Sequence, residues 1–75
     1  MNKRLFHAIT TITFGGPKRT YSDWYNADTL RQAMRMHRAE TKRFGIPGPR
    51  QGATVVWFEC DPVTFKPLGD LPCAS

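Results

Sequence analysis

Four side chains of the types that bind metals or act as nucleophiles are spread along this chain of 75 residues: His7, His37, Cys60 and Cys73. Zinc sites usually take their ligands in pairs a few residues apart, and none of these four lies that close to another. A reactive pair of Cys60 with a histidine is open in principle but has no support in the spacing. We therefore expect no bound metal and no cofactor.

Established catalytic motifs are absent from the sequence. It contains no phosphate-binding loop, dinucleotide fingerprint, zinc-protease helix motif or nucleophile elbow. A pocket of roughly 300 Å³ with convergent polar groups is also hard to build in so short a chain. His37 falls on an apolar helical face, where we expect a core histidine bonded to a backbone carbonyl, and Cys60 reads as a small buried residue. The sequence predicts a protein that is not an enzyme.

The strongest predicted element is a helix between Asn26 and Gly45, because its start, period and stop signals agree. Either Asn26 or, slightly later, Thr29 with Gln32 can cap its N-terminus. Gly45 followed by Pro47 ends it. Placing residues about 100° apart gives one apolar face, which we expect to lie on the core. Its members are Leu30, Ala33, Met34, His37, Thr41 and Phe44.

A line of four basic residues runs beside that apolar face for roughly 16 Å, at about 1.5 Å per residue. This basic stripe consists of Arg31, Arg35, Arg38 and Lys42. Two interpretations stay open. The stripe is an ordinary solvated face whose aliphatic stems cover apolar surface, or it binds an anionic partner. The second interpretation is favoured by the repulsion between like charges at i and i+4 and by the suitability of arginine for bidentate phosphate contacts.

Charge is divided unequally along the chain. Residues 1–50 carry ten Lys or Arg against three acids, and residues 51–75 carry one against three, so the net charge of +5 divides as +7 and −2. Further basic residues flank the helix, namely Lys18, Arg19, Arg43 and Arg50. This polarity favours an acidic partner, either nucleic acid or an acidic protein surface. No helix-turn-helix or RNA-recognition signature specifies which one.

Strands are predicted on both sides of the helix. Residues 3–14 form the first, with Phe6, Ala8, Ile12 and Phe14 toward the core. A glycine and proline turn at 15–17 leads to a short second strand over about 18–22, and residues 23–25 lead into the helix. Residues 53–60 form a third strand. After a turn at 61–62, residues 63–68 return as a fourth, confined to an edge by its proline.

These elements predict an α+β fold in which a single helix packs on a three- to four-stranded, mainly antiparallel sheet in β-β-α-β-β order. Residues 1–75 form one small domain with a loosely held tail at 69–75. One helix covers one sheet face. If Val56 and Phe58 meet the helix, Trp57 lies on the open face in an apolar patch that suits a partner. The alternatives are that this strand faces the other way or that the tail covers the patch.

In size, charge and the order hairpin, helix, hairpin, the whole chain resembles the small phage-encoded inhibitors, including anti-CRISPR proteins. The resemblance lies in the layout and transfers no site residue. It implies an inhibitor or adaptor that docks on a host protein or nucleoprotein complex that handles nucleic acid. We expect the basic stripe to make the electrostatic contact and the apolar patch near Trp57 to add specificity. The alternative is a regulator that binds DNA or RNA directly.

The expected setting is cytoplasmic, and the expected protein is a monomer or a homodimer through the open sheet face. Two cysteines are too few for a disulfide framework, and we expect both to be reduced thiols. The chain has no run of apolar residues long enough to cross a bilayer and no signal-peptide pattern. We therefore expect no contact with a membrane.

Overall fold

A computed structural model describes residues 4–13, 16–46, 52–69 and 71–73. Its elements are, in chain order, β1 (Arg4–Ile12), β2 (Arg19–Ala27), α1 (Leu30–Phe44) and β3 (Ala53–Cys60). The three strands form one antiparallel sheet in the order β2-β1-β3, and α1 packs over β2 and β1. The predicted class, one helix on an antiparallel sheet, is confirmed.

The sheet register determines which side chains face the helix. Phe6 lies opposite Tyr25 of β2, and Ala8 lies opposite Trp57 of β3. Because β2 and β3 both run antiparallel to β1, they are parallel to each other, and α1 forms the crossover between them. The core beneath the helix therefore receives alternate residues from all three strands. It consists of Phe6, Ala8, Tyr25, Ala27, Ala33 and Trp57.

Both ends of α1 carry identifiable caps. Thr29 accepts a hydrogen bond from the Gln32 backbone N–H at 3.1 Å, so the later of the two predicted starts is correct. Asn26 is not the cap, because β2 continues through it to Ala27 in register with β1. At the other end Gly45 adopts φ 70°, and the Ile46 N–H donates to the Thr41 carbonyl at 2.9 Å. The helix therefore stops at the predicted glycine, with the hydrogen bond of a Schellman motif.

The predicted core face of the helix is correct at its centre and wrong at its end. Ala33 and His37 are buried, whereas Phe44 is 67% exposed. In this last turn the Phe44 ring packs under the Arg43 guanidinium, 5.7 Å from its centroid, rather than on the sheet. In β1, Phe6, Ala8 and Ile12 face the core as predicted, and Phe14 lies outside the described residues.

Residues 63–68 do not form the predicted return strand. The Asp61 carboxylate accepts hydrogen bonds from the Val63 and Thr64 N–H groups at 2.7 and 3.1 Å, which closes a turn. Beyond it the described residues make only an isolated bridge between Cys60 and Pro67. The tail then follows the outer edge of β3, where the Cys73 N–H donates to the Trp57 carbonyl at 2.7 Å.

Candidate binding surfaces

The basic stripe of α1 faces solvent. All four of its residues, Arg31, Arg35, Arg38 and Lys42, are exposed. Within the described residues the ion pair joins Arg4 to Glu59, and His37 lies near the Asp23 carboxylate; neither contact involves the stripe. Glu40, the single acid of the helix, instead accepts a hydrogen bond from the Tyr25 hydroxyl at 2.7 Å. The stripe is therefore a run of positive charge that no described acid neutralises.

The contact with Tyr25 also shows how the helix is turned. Tyr25 belongs to β2, at one edge of the sheet. Glu40 lies roughly 170° round the helix axis from the middle of the stripe, at about 100° per residue. The stripe thus occupies the flank of α1 directed away from β2. Only partly buried residues such as Met34 separate it from the core.

Three of the remaining predicted basic residues lie toward the helix C-terminus. A short connection joins β2 to α1, and the His37 ring reaches Thr10 in the second half of β1, so the helix runs back along β2. Its last turn therefore lies toward the end of the sheet where β2 begins. Lys18, Arg19 and Arg43, all exposed, share this end with the stripe residue Lys42. Arg50 lies outside the described residues.

The side of the sheet that α1 does not cover carries no charged residue at any position of the strand ladders. We call this side the open face. Its twelve residues are Leu5, His7, Ile9 and Thr11 of β1, Thr20, Ser22, Trp24 and Asn26 of β2, and Thr54, Val56, Phe58 and Cys60 of β3. Leu5 and Cys60 are buried, Ile9, Val56 and Phe58 are half-buried, and Trp24 is 46% exposed.

An aromatic stack lies at one side of the open face. The His7 and Trp24 rings are nearly parallel, with centroids 3.9 Å apart, and His7 hydrogen-bonds to the Ser22 hydroxyl. Phe65, from the loop after β3, lies 5.6 Å from Trp24. The loop thus covers one end of the face and leaves the rest accessible. Burial lowers the pKa of His7 more than Asp23 raises it, so the face remains uncharged at pH 7.

The predicted position of Trp57 on the open face is wrong. Its side chain is 4% exposed and contacts the Tyr25 and His37 rings, at centroid distances of 5.9 and 5.4 Å. The small residue Ala8 lies opposite it in β1 and leaves room for an indole under the helix. Val56 and Phe58 therefore point to the open face, which was the alternative orientation of this strand. Trp57 offers almost no surface to a partner.

His37 forms a polar cluster within the core. Its ring Nε2 lies 3.3 Å from the Thr10 hydroxyl, rather than against the predicted backbone carbonyl, and 3.9 Å from an Asp23 oxygen. Burial lowers the pKa of His37, although Asp23 and Glu40 oppose this shift. Burial and the hydrogen bond to Glu40 raise the pKa of Tyr25. The cluster gives its buried polar groups partners. Because the His37 side chain is only 7% exposed, it presents little surface to a substrate.

The cysteine considered as a nucleophile, Cys60, also lies in a structural environment. Cys60 is buried as predicted, and burial raises the pKa of its thiol, which disfavours the reactive thiolate. The described ranges hold no group of three or more His, Cys, Asp or Glu residues placed to bind a metal ion. In the same part of the chain, no helix has the length and apolar character needed to cross a membrane.

Sequence reasoning missed Trp24, because residues 23–25 were assigned to the connection before the helix. A usable signal exists: β1 has nine residues, and a hairpin partner of equal length extends β2 to Ala27. Thr20, Ser22, Trp24 and Asn26 then alternate with the helix-facing residues. No family model, curated protein or solved structure matches this chain, so its resemblance to small phage inhibitors stays a prediction from layout.

Proposed function

We propose that this protein is a non-catalytic inhibitor or adaptor that docks on a nucleic-acid-handling complex by binding, through the basic stripe, phosphate groups of the nucleic acid that the complex carries. The observation that supports this most is the stripe itself. Arg31, Arg35, Arg38 and Lys42 are exposed on one helix flank, and no ion pair of the described residues includes them. Aligned arginines repel one another, so an anionic partner relieves a cost that the folded chain carries alone.

The layered fold determines which of the two surfaces can take part in docking. The stripe lies on the helix, and the apolar residues Val56, Phe58 and Trp24 lie on the opposite side of the sheet. One flat partner surface cannot contact both at once. Docking on the complex therefore depends on the stripe and the basic end formed by Lys18, Arg19 and Arg43, without the apolar patch.

This separation also favours the second candidate, a regulator that binds DNA or RNA directly. A stripe that needs no apolar contact is sufficient for binding to a phosphate backbone. The two candidates differ in specificity. A docking protein should bind free nucleic acid only in the non-specific range, with a Kd of roughly 10⁻⁴ to 10⁻⁶ M, whereas a regulator should bind a preferred sequence at least about 10³-fold more tightly.

Fluorescence anisotropy across a salt series tests the shared claim. Labelled single-stranded and duplex DNA and RNA are titrated with the protein. Four phosphate contacts predict that log K falls against log salt with a slope of about −3.6 on duplex DNA. The double variant R35E/R38E removes two contacts and reverses two charges, so its slope should fall to about half or its binding should disappear.

The matched control uses one charge reversal in each protein. R38E and K66E change the net charge equally, but Lys66 lies in the loop after β3, away from the helix. The proposal requires R38E to weaken binding much more than K66E does. Equal losses would mean that only net charge matters. Absence of salt-dependent binding to all four probes would contradict a phosphate partner.

A further inference from the structure

We propose that the open face is a self-association surface, on which a second copy of this chain packs sheet against sheet to form a homodimer with layers α/β/β/α. The proposal uses a different surface from the basic stripe and does not depend on the proposed function. It commits to a second copy because of where the molecule carries its charge, the apolar side chains left on the face, and the area available.

Charge is the first argument. The chain has a net charge of +5, so two copies repel each other across most orientations. The twelve strand positions of the open face have no charged residue, and His7 is neutral at pH 7. Contact through this face is therefore one in which two positive molecules can meet without opposing ionised side chains.

The position of the helix strengthens this argument. Because α1 covers the other side of the sheet, packing the two open faces together places both basic stripes on the outer layers. Helix and sheet layers are each about 10 Å thick, so the two helices are separated by roughly 30 Å, well beyond the Debye length of about 8 Å at physiological salt. Repulsion between the two stripes is then largely screened.

The side chains of the open face suit such packing. Ile9, Val56 and Phe58 are half-buried, and their remaining surface projects from adjacent strands β1 and β3. Trp24 is 46% exposed at the β2 side and stacks on the His7 ring. Facing sheets at about 10 Å interdigitate side chains of this kind, as in β-sandwiches. Tryptophan is also enriched in interface cores.

The area available indicates a weak, reversible dimer. Three strands about 4.8 Å apart and eight or nine residues long give a whole face of roughly 400 Å² per copy, and the loop after β3 covers one end of it. The exposed loop residues Val63 and Phe65 offer apolar surface of their own at that end. Two copies together bury less than a standard stable interface of about 1,600 Å². We expect a Kd on the order of 10 to 100 µM.

Sedimentation equilibrium of the full chain tests the proposal. The average mass should rise from 8.6 kDa toward twice that value between about 5 µM and about 500 µM protein. Raising the salt concentration should strengthen the dimer, because it screens repulsion between copies without weakening an uncharged contact. Nucleic-acid binding through the stripe has the opposite salt dependence, so failure of one proposal is distinguishable from failure of the other.

Matched charge insertions locate the contact. Thr20 and Thr54 are exposed on the open face, and T20K/T54K places two charges there without altering a buried residue. Met36 and Ala39 are exposed on α1, and M36K/A39K adds the same charge there without removing a side-chain hydrogen bond. T20K/T54K should raise the Kd at least tenfold, and M36K/A39K should change it little. Circular dichroism confirms that both variants are folded.

Three results would overturn the proposal. The first is a wild-type protein that remains monomeric at about 500 µM, which would leave the open face to a different protein. The second is an equal rise of the dimer Kd in the two double variants, which would assign the effect to net charge. The third is that acrylamide quenches the fluorescence of Trp24 equally in concentrated and in dilute protein, which would place the contact elsewhere. The W24F variant gives the signal of Trp57 alone, which is subtracted.

Discussion

The two sides of this small sheet differ in almost every physical property, although they alternate residue by residue along the same strands. The helix side holds Phe6, Tyr25 and Trp57 with a satisfied polar cluster around His37. The open face holds uncharged side chains, of which Leu5 and Cys60 are buried and the others are half-buried or exposed. Beyond the helix, the molecule presents basic residues to solvent. One side is therefore complete within the monomer, and the other has surface left for a partner.

This comparison teaches that burial and charge are arranged by layer. A one-residue step in β1, from Ala8 to Ile9, passes from a position fully closed by the helix to one still partly in contact with water. Apart from Asp23, on the helix side of β2, the charged residues that the structure describes lie in the helix, near the strand ends and in the loops. The protein therefore has two independent surfaces, a basic one for anions and an uncharged one for apolar contact.

The largest expected effect comes from comparing the two tryptophans. Trp57→Ala removes a buried indole and should cost about 3–5 kcal/mol of the free energy of unfolding, enough to unfold much of a domain of this size. Trp24→Ala should cost less than about 1.5 kcal/mol, because half of its ring is already in water. Urea denaturation at low protein concentration measures both, and Trp57→Phe provides a milder variant. Equal losses would mean that the open face is already covered in the monomer.

Stability should depend on pH through the two histidines, and more through the one on the helix side. Burial lowers the pKa of both His37 and His7 below the ordinary value of 6.5. The unfolded chain therefore takes up protons at a higher pH than the folded one, so the free energy of unfolding is largest above 6.5 and falls as the pH drops through the lowered pKa values.

Urea denaturation from about pH 7.5 to about pH 5 measures this loss. His37→Gln should flatten the profile most, because His37 is the more deeply buried. His7→Gln should flatten it less. Carboxylates such as Glu59, whose pKa is lowered by Arg4, lose their contribution only in a more acidic window. A profile that is unchanged in His37→Gln would contradict the assignment of the neutral histidine to the core.

A smaller effect concerns the cap that fixes where the helix starts. Thr29→Ala removes the hydrogen bond to the Gln32 N–H and should cost about 1 kcal/mol. Asn26→Ala is the matched comparison, because Asn26 lies exposed in β2 and caps nothing. Thermal denaturation followed by circular dichroism separates the two. A larger loss in Asn26→Ala would place the helix start earlier than Leu30.

The smallest effect should have the opposite sign. Arg35→Gln removes like-charge contacts with Arg31 and Arg38 and should stabilise the free protein by a few tenths of a kcal/mol at low salt. It should also weaken binding to nucleic acid. Ala39 is exposed on the helix and carries no charge, so Ala39→Gln leaves this repulsion unchanged and serves as the neutral control. If Arg35→Gln destabilised the helix, the stripe would be a structural feature of the fold, packed along apolar surface.

The sequence predicted local signals well and long-range pairing poorly. The Gly45 stop and the bounds of β3 were correct because capping geometry and alternation are local. The length of β2 depends on its pairing with β1, which no local signal in residues 23–27 reveals. The orientation of β3 was undecided because both of its faces are apolar, and it follows from Trp57 meeting Ala8 across the ladder. The turn at Asp61 was visible, but the absence of a strand after it was not.

The candidate surfaces were predicted in the same uneven way. The basic stripe follows directly from helical periodicity, and its exposure agrees with the amphipathic pattern. The apolar patch was predicted on the open face, but with Trp57 instead of Trp24 as its tryptophan. A one-residue change of orientation exchanges every side chain of a strand between the two faces, so an error in one strand replaces the principal residue of the patch.

The most direct test of two independent surfaces is a pair of backbone amide chemical-shift maps recorded by NMR on the same labelled protein. One map follows titration with a short duplex DNA at low protein concentration, and the other follows dilution of the protein alone. We predict that DNA shifts amides of residues 31–42 and that dilution shifts amides of residues 7–11, 20–24 and 54–58. Coincident maps, or DNA shifts centred on the open face, would contradict the account.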